Sequence, residues 1–209
     1  LENPYTLRVN LDGKVWAKLG SMIGHRGKVE FAHQGILEQG IGNLLKKMVT
    51  DEEVDLMKVK GKGTVYLADD GKRVQILTLA AKETIFVNGN DLLAMEDSVE
   101  YKIKMMRRIA SWVTGGLFNI RVTGPGMVAI TTYYNPITLR VTKGDRLYTD
   151  PRATVAWSGS LAPGIHTDIS FQHLLGRSSE ETFQLEFDGE GWVVLQPYEE
   201  DPPIDPAEA

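Results

Sequence analysis

The chain has 209 residues, of which 42% are hydrophobic, and it contains no cysteine. That length suits one large β domain or two small ones, and the lack of cysteine excludes disulfides and cysteine-ligated metal sites. No apolar run approaches the roughly 20 residues that span a bilayer, and no basic-then-apolar signal peptide opens the sequence. We therefore expect a soluble, cytoplasmic protein with no membrane span.

The net charge of −5 comes from the end of the chain, because residues 199–209 hold five acidic residues and no basic one. The rest of the chain has 23 acidic and 23 basic residues. A protein built mainly to bind phosphate backbones needs a clear basic excess, which argues against that class. Because the tail is also rich in proline, we expect it to be disordered.

The first third of the chain alternates between apolar and polar residues, which predicts half-buried strands. We predict such strands at residues 5–11, 15–19 and 28–31. Asp12-Gly13 predicts a tight turn between the first two, and the cluster at residues 24–27 predicts a loop before the third. Residues 41–48 carry apolar residues at helical spacing and predict a short helix.

The remainder of the chain continues this pattern of short strands with a few helices. We predict strands at residues 73–79, 84–87, 91–95, 99–103, 137–141, 145–148 and 153–157. Residues 104–113 predict a second short helix, which ends at Gly115-Gly116. Residues 170–175 give a weaker third helical signal.

Three stretches have closely related sequences: residues 54–67, 117–130 and 182–195. Each is an alternating apolar run, a Gly-x-Gly pair and a second alternating run, and the first glycines are Gly61, Gly124 and Gly189. A phosphate-binding loop would need a helix after the glycines. Because a strand follows instead, we predict three hairpins in which glycine supplies the positive φ of the turn.

The glycine pairs recur every 63 and 65 residues, which indicates an internal repeat. We predict one β-rich domain, residues 1–198, with a pseudo-threefold set of repeated β-sheet units and a tail at 199–209. The units cover about 41–103, 104–161 and 162–198. Residues 5–31 complete the third unit, because Thr6-Leu-Arg-Val recurs at Thr138. Pairing the first and last strands would remove an exposed sheet edge.

Gly115-Gly116-Leu117-Phe118, which leads to Thr123-Gly124-Pro125-Gly126, resembles the family named for altered inheritance of mitochondria. The resemblance covers about residues 5–198. It implies a mostly β fold similar to the tryptophan RNA-binding attenuation protein, with repeated units in one chain. We accordingly expect an attenuator-like or double-stranded β-helix type of β-sandwich. Yeast relatives are mitochondrial and bacterial ones are expected to be soluble; the resemblance implies no activity and no catalytic residues.

The four histidines are the strongest candidates for metal ligands, yet no His-x-His pair occurs. His166-Thr-Asp168 is the nearest approach to such a motif. His33 and His166 fall at equivalent positions about two periods apart, which fits either a shared structural role or a site. No Gly-x-Ser-x-Gly nucleophile motif is present. We predict no metal, no cofactor and no catalytic residue, and therefore not an enzyme.

The charged positions beside the glycine pairs are more informative about function than the histidines are. Side chains alternate across a strand, so Met57 and Val59 should point inward and Lys58 and Lys60 outward, with Lys62 on the turn. The equivalent outward or turn positions are Arg121, Thr123 and Pro125 in the second stretch and Glu186, Asp188 and Glu190 in the third. The charge of these positions changes from +3 through +1 to −3, while the inward positions stay apolar.

These outward charges form our candidate interaction surface: Lys58, Lys60, Lys62, Arg121, Glu186, Asp188 and Glu190. One interpretation is an ordinary solvated surface of mixed sign. The sharper interpretation is that the basic edge of one domain meets the acidic edge of another, which sets register and association rate. We therefore predict a non-enzymatic binding or scaffold protein that forms a homo-oligomer or holds a protein partner.

Two alternatives remain open. The first is RNA binding, which rests on the fold alone, although Arg107, Arg108 and Trp112 on the predicted helix 104–113 offer a surface for RNA or an anionic membrane. The second is a β-helix protein that binds a small ligand or a metal. A salt-dependent gel shift would favour the first, and metal in the purified protein would favour the second.

Overall fold

The computed structural model describes residues 1–33, 56–105, 118–166 and 184–200. The chain divides into two compact units. Unit 1 comprises Leu1–Glu83, Gly89–Tyr101 and Val122–Thr132; unit 2 comprises Thr84–Asn88, Lys102–Arg121 and Tyr133–Ala209. The predicted helices at 41–48 and 170–175, most of the one at 104–113, and the tail from residue 201 lie outside the described residues.

Fifteen strands and one 3-10 turn, Gly89–Asp91, make up the regular structure of the described residues. The strands of the first half are β1 (Leu7–Lys18), β2 (Met22–His33), β3 (Leu56–Leu67), β4 (Arg73–Leu79), β5 (Thr84–Asn88), β6 (Leu92–Glu96) and β7 (Glu100–Met105). Those of the second half are β8 (Phe118–Thr123), β9 (Gly126–Thr132), β10 (Ile137–Val141), β11 (Leu147–Thr149), β12 (Thr154–Ser158), β13 (Gly164–His166), β14 (Gln184–Phe187) and β15 (Gly191–Leu195). The prediction of a mostly β chain is confirmed.

The strands form three antiparallel sheets. Unit 1 holds a six-stranded sheet in the order β2-β3-β1-β6-β9-β4. A second six-stranded sheet has the order β10-β15-β12-β5-β8-β7, and a three-stranded sheet has the order β11-β14-β13. The start of the predicted helix 104–113 is wrong at its first two residues, because they extend β7.

Strands β1, β2 and β3 each run for 12 residues without a break. The turn predicted at Asp12-Gly13, the loop predicted at 24–27 and the hairpin predicted at Gly61 are therefore wrong. The glycines instead lie side by side: Gly13 pairs with Gly61, and Gly27 pairs with Gly63. We call these four residues the glycine line.

The glycine line crosses the three long strands near the middle of each. Gly13, Gly27 and Gly61 have φ angles of 119°, 95° and 126°, which favour glycine. Leu7 on one side of the line and Met57 on the other belong to the same hydrophobic cluster. Residues at both ends of β1 and β3 therefore contribute to one hydrophobic cluster.

The other two glycine pairs also differ from the predicted hairpins. β8 and β9 flank Gly124-Pro125, which has a cis peptide bond, but they belong to different sheets. β14 and β15 flank Gly189 and likewise belong to different sheets. In both places the glycine pair connects sheets and does not close a two-stranded ladder.

The strands that follow the three glycine pairs have matching ladders. In each, the second glycine lies opposite an apolar residue: Gly63 opposite Leu11, Gly126 opposite Leu79 and Gly191 opposite Val141. On the other side, each strand pairs with one whose register shifts by a residue, namely β2, β6 or β12. The shift begins opposite Leu67, Ile130 and Leu195, which are equivalent positions of the three stretches.

A buried ionic cluster connects the turns at one end of the unit 1 sheet. Lys72 Nζ lies 3.1 Å from Asp91 Oδ1, with both side chains at most 5% exposed. Lys18 Nζ donates to both oxygens of Asp69 at 2.8 and 2.9 Å, and Thr131 Oγ1 donates to Asp69 at 3.0 Å. Lys72 and its partners thereby connect the turn that contains Asp69 with the turn that contains Asp91. Removal of one partner would leave a buried charge uncompensated.

The glycine line gives a direct stability prediction. A Cβ at Gly63 would clash with the carbonyl oxygen of Arg26, so Gly63→Ala should lower the free energy of unfolding by about 3 kcal/mol. Gly24, also in the β2–β3 ladder, has no atom within 4 Å of its Cβ position. Gly24→Ala should therefore change stability by less than about 0.5 kcal/mol. Urea unfolding measures both, and equal midpoints for the two variants would contradict this account.

Candidate interaction surface

The outward surface of β1, β2 and β3 is strongly basic. Its alternating positions run over residues 8–16, 24–32 and 58–66, opposite the side that faces the core. These positions carry seven basic residues and two acidic ones. The basic residues are Arg8, Lys14, Arg26, Lys28, Lys58, Lys60 and Lys62, and the acidic ones are Asp12 and Glu30. We call this set the basic face.

Like charges face each other directly on the basic face. Lys28 lies opposite Lys62, and Lys60 lies opposite Lys14. Such cross-strand pairs have Cβ atoms about 5 Å apart and are destabilising when the charges are alike. Lys62 Nζ lies 3.2 Å from Asp12 Oδ2, but both side chains are about 80% exposed, so this pair offsets little of the positive potential.

Trp16 is held at one edge of the basic face by its neighbours. The ammonium groups of Lys58 and Lys14 lie 5.0 and 5.5 Å from the centre of its ring. The ring of Tyr101 meets it edge-on, with the centroids 5.8 Å apart. The indole is therefore already engaged in cation–π and aromatic contacts, which fix the direction of both lysines.

The structure brings some of the predicted surface residues together and separates others. Lys58, Lys60 and Lys62 lie together on β3, and the predicted burial of Met57 and Val59 is confirmed. Arg121 is on β8, outside the sheet that contains β3. The sequence reading missed Arg8, Lys14, Arg26 and Lys28, because strand pairing alone places them beside β3.

The predicted acidic residues lie in unit 2, where they have local partners. Glu186 lies 3.0 Å from Arg146, and Asp188 lies 3.6 Å from the same guanidinium. The N–H of Gly144 donates to Asp188 Oδ1 at 2.9 Å. This hydrogen bond first, and the charge of Arg146 second, hold the pKa of Asp188 below its usual value. Tyr148 and Glu186 raise the pKa of Arg146.

Glu190 and His166 extend this acidic cluster. Glu190 lies 4.0 Å from Arg140 and accepts a hydrogen bond of 3.3 Å from the N–H of Lys143. His166 Nδ1 lies 3.7 Å from Glu186 Oε2. The acidic positions are thus partly compensated by their own unit.

The basic face has an excess of five positive charges among its own residues. Two of its residues have acidic neighbours outside it, because Lys14 lies 2.5 Å from Asp97 and Arg8 lies 3.5 Å from Glu2, and an excess of three charges remains when both are counted.

The histidines do not converge on a metal site in the described ranges. Nowhere in residues 1–33, 56–105, 118–166 and 184–200 do three or more metal-ligating side chains meet. The His25 ring meets Phe31 edge-on, with centroids 5.3 Å apart. His173 and the side chain of His33 lie outside the described part of the chain.

Comparison with known proteins places the chain among relatives of similar fold. Residues 2–198 match the family model described as mitochondrial biogenesis AIM24. The crystal structure of protein SPYM3_0169 from Streptococcus pyogenes superposes with a TM-score of 0.72 and 21% identity, covering 95% of this chain and 91% of that one. At that identity the likeness concerns the fold alone. None of the curated proteins matches.

Among the residues that the structure describes, none of the helical segments has the length and apolar character needed to cross a bilayer.

The pKa of Asp188 tests the geometry of the acidic cluster. Arg146→Gln should raise that pKa only part of the way to its usual value, because the Gly144 N–H still stabilises the carboxylate. Since the folded-state pKa is the lower one, this group stabilises the fold above its unfolded pKa and loses that contribution as the pH falls through the folded pKa. Carboxyl carbon NMR titration measures the shift.

Arg140→Gln is the matched control for this titration, because Arg140 pairs with Glu190 and not with Asp188. It should leave the pKa of Asp188 unchanged. A complete return to the usual pKa in Arg146→Gln would show that the guanidinium charge, and not the backbone N–H, controls this carboxylate.

Proposed function

The chain belongs to the mitochondrial biogenesis AIM24 family, and we propose that it is a non-enzymatic binding protein whose basic face holds an acidic segment of a partner protein. The observation that carries this proposal is the excess of five positive charges on the outward positions of three paired strands. Like charges in register cost stability, so the fold retains them at a cost that a complementary partner would offset.

A protein partner fits the basic face better than RNA does. Single-stranded nucleic acid is held by aromatic rings that are open for base stacking, interleaved with basic side chains. Trp16 already contacts two lysines and Tyr101, so a base would have to displace these contacts. An extended acidic segment needs only ion pairs with the exposed Arg26, Lys28 and Lys60.

A separate partner also fits better than self-association through the acidic cluster. Glu186 and Asp188 are engaged by Arg146, and Glu190 is near Arg140. A second copy that used these carboxylates would compete with partners already present in unit 2. Homo-oligomer formation therefore remains the second form of this proposal.

We extend the proposal to a pseudo-threefold, attenuator-like repeat located in the cytoplasm. The matching ladders around the three glycine pairs support the repeat, because the same position of each stretch faces the register shift. The order of these ladders favours three consecutive segments, about 7–67, 73–132 and 137–195. In that arrangement residues 5–31 belong to the first repeat. The division into 41–103, 104–161 and 162–198 with 5–31 stays a prediction.

Charge reversal tests the proposed binding function. The triple variant Lys28→Glu, Lys60→Glu and Lys62→Glu should lower affinity for a labelled glutamate-rich peptide by at least about tenfold at low salt, and by less at high salt. Fluorescence anisotropy gives the affinities. Affinity purification from native cells with both proteins then identifies the natural partner.

The matched control is Lys82→Glu, Lys102→Glu and Lys143→Glu, which makes the same charge change at exposed positions off the basic face. It should bind the peptide as the unmodified protein does. An equal loss of peptide affinity in both triple variants would show that net charge alone causes the effect, and it would contradict the proposal. Tighter binding of a single-stranded oligonucleotide than of the peptide would favour RNA, and a change in gel-filtration volume would favour self-association.

A further inference from the structure

A pocket of about 320 Å³ opens in unit 1 where β1 separates from β6. The two strands pair only over Val15, Trp16 and Ala17, although β1 begins at Leu7. The residue Pro4, just before β1, accepts a hydrogen bond of 2.8 Å from the N–H of Val74 in β4. The residues that line the pocket come from β1, β4, β6 and β9.

The pocket is hollow because its floor is made of small residues. Ala94 and Ala129 are paired across the β6–β9 ladder, and each is only 5% exposed. Larger aliphatic side chains surround them, and two of these stay open to solvent: Ile76 is 42% exposed and Met127 is 47% exposed. Exposed apolar side chains beside a concave surface are typical of a ligand site, and methionine adapts readily to a bound apolar group.

The lining also indicates the kind of ligand. None of the eleven lining residues is aromatic, so the pocket offers no ring for stacking and favours a flexible aliphatic chain. Its volume is at the small end of the roughly 300–1,000 Å³ range of ligand pockets. A single short chain fits that volume, whereas a two-chain lipid or a large ring system does not.

The polar residues of the lining differ in how firmly they are engaged. Glu96 Oε2 accepts a hydrogen bond of 2.8 Å from the N–H of Met127. Arg8 Nη1 lies 3.5 Å from Glu2 Oε2, and both side chains are nearly half exposed; Arg8 Nε donates to Asn10 at 3.3 Å. An exposed pair of that length contributes little, so a ligand carboxylate can replace Glu2 beside the guanidinium.

We propose that this pocket binds a linear aliphatic carboxylate of medium chain length. The chain lies over Ala94 and Ala129 against Ile76 and Met127, and the carboxylate meets Arg8.

The aliphatic part of this site is lined by core-facing side chains of β1, whereas Arg8 belongs to the basic face. The two proposals therefore share one residue. The charge-reversal variant at Lys28, Lys60 and Lys62 leaves Arg8 unchanged, so the acidic partner and the aliphatic ligand are tested separately.

Octanoate is the probe for this site, with octan-1-ol and octylammonium as head-group comparisons. Ligand-observed NMR titration should show that octanoate binds most tightly. Ile76→Thr should weaken octanoate binding by about fivefold, because it removes part of the apolar wall. Arg8→Gln should remove the preference for octanoate over octan-1-ol. Ile137→Thr, at another exposed strand isoleucine that is 54% exposed, should leave binding unchanged.

The results expected from these variants distinguish the pocket from the orientation of the ligand in it. Weakening in Ile76→Thr but not in Ile137→Thr supports the pocket, and loss of head-group preference in Arg8→Gln supports the orientation. Absence of octanoate binding, equal binding by both isoleucine variants, or an equal or greater affinity for octylammonium overturns the proposal. Ile76 and Ile137 are exposed, so neither threonine substitution alters the core. Circular dichroism checks that each variant is folded.

Discussion

The close approach of the β2 and β3 backbones at the glycine line is the constraint on which unit 1 depends. Arg26, Lys28 and Lys62 place carbonyl oxygens where a Cβ on a glycine of the neighbouring strand would stand. Only glycine permits this approach together with a positive φ. Both β1 and β3 run through this line without a break, and residues from both ends of each strand belong to one hydrophobic cluster. β1 pairs with β6 over only three residues, and the aliphatic pocket lies beside that short ladder.

The local sequence was sufficient to predict many strands, but it was not sufficient to decide whether a glycine lies in a turn or inside a strand. Residues 73–79 and 137–141 were predicted as strands with the bounds that the structure has, because alternation over one strand is a local property. A positive φ at Gly13 or Gly61 is also a local property, yet it occurs both in a turn and, as here, inside a continuous strand. The choice depends on which strand lies alongside, and that information is distant in sequence.

The dependence on neighbouring strands also explains which residues of the candidate interaction surface could be predicted. Alternation on β3 was enough to predict that Lys58 and Lys60 point away from the core, and the burial of Val59 confirms the alternation. The neighbouring Lys28 could not be assigned, since residues 24–27 were predicted as a loop. The compensation of Asp188 by Gly144 and Arg146 was also hidden, because both partners come from the turn before β11, which is distant from Asp188 in sequence. Charge along one strand is therefore readable from sequence, whereas charge balance across strands is not.

The matching register shifts have a consequence for how this chain is compared with itself. Leu67, Ile130 and Leu195 each lie opposite the residue at which a neighbouring strand begins to shift register. That irregularity is a common origin for superposing the three stretches by backbone geometry, without reference to residue identity. On this superposition Lys60, Thr123 and Asp188 fall at one position and differ in charge. The ladder geometry that the three stretches share therefore does not dictate the charge at that position.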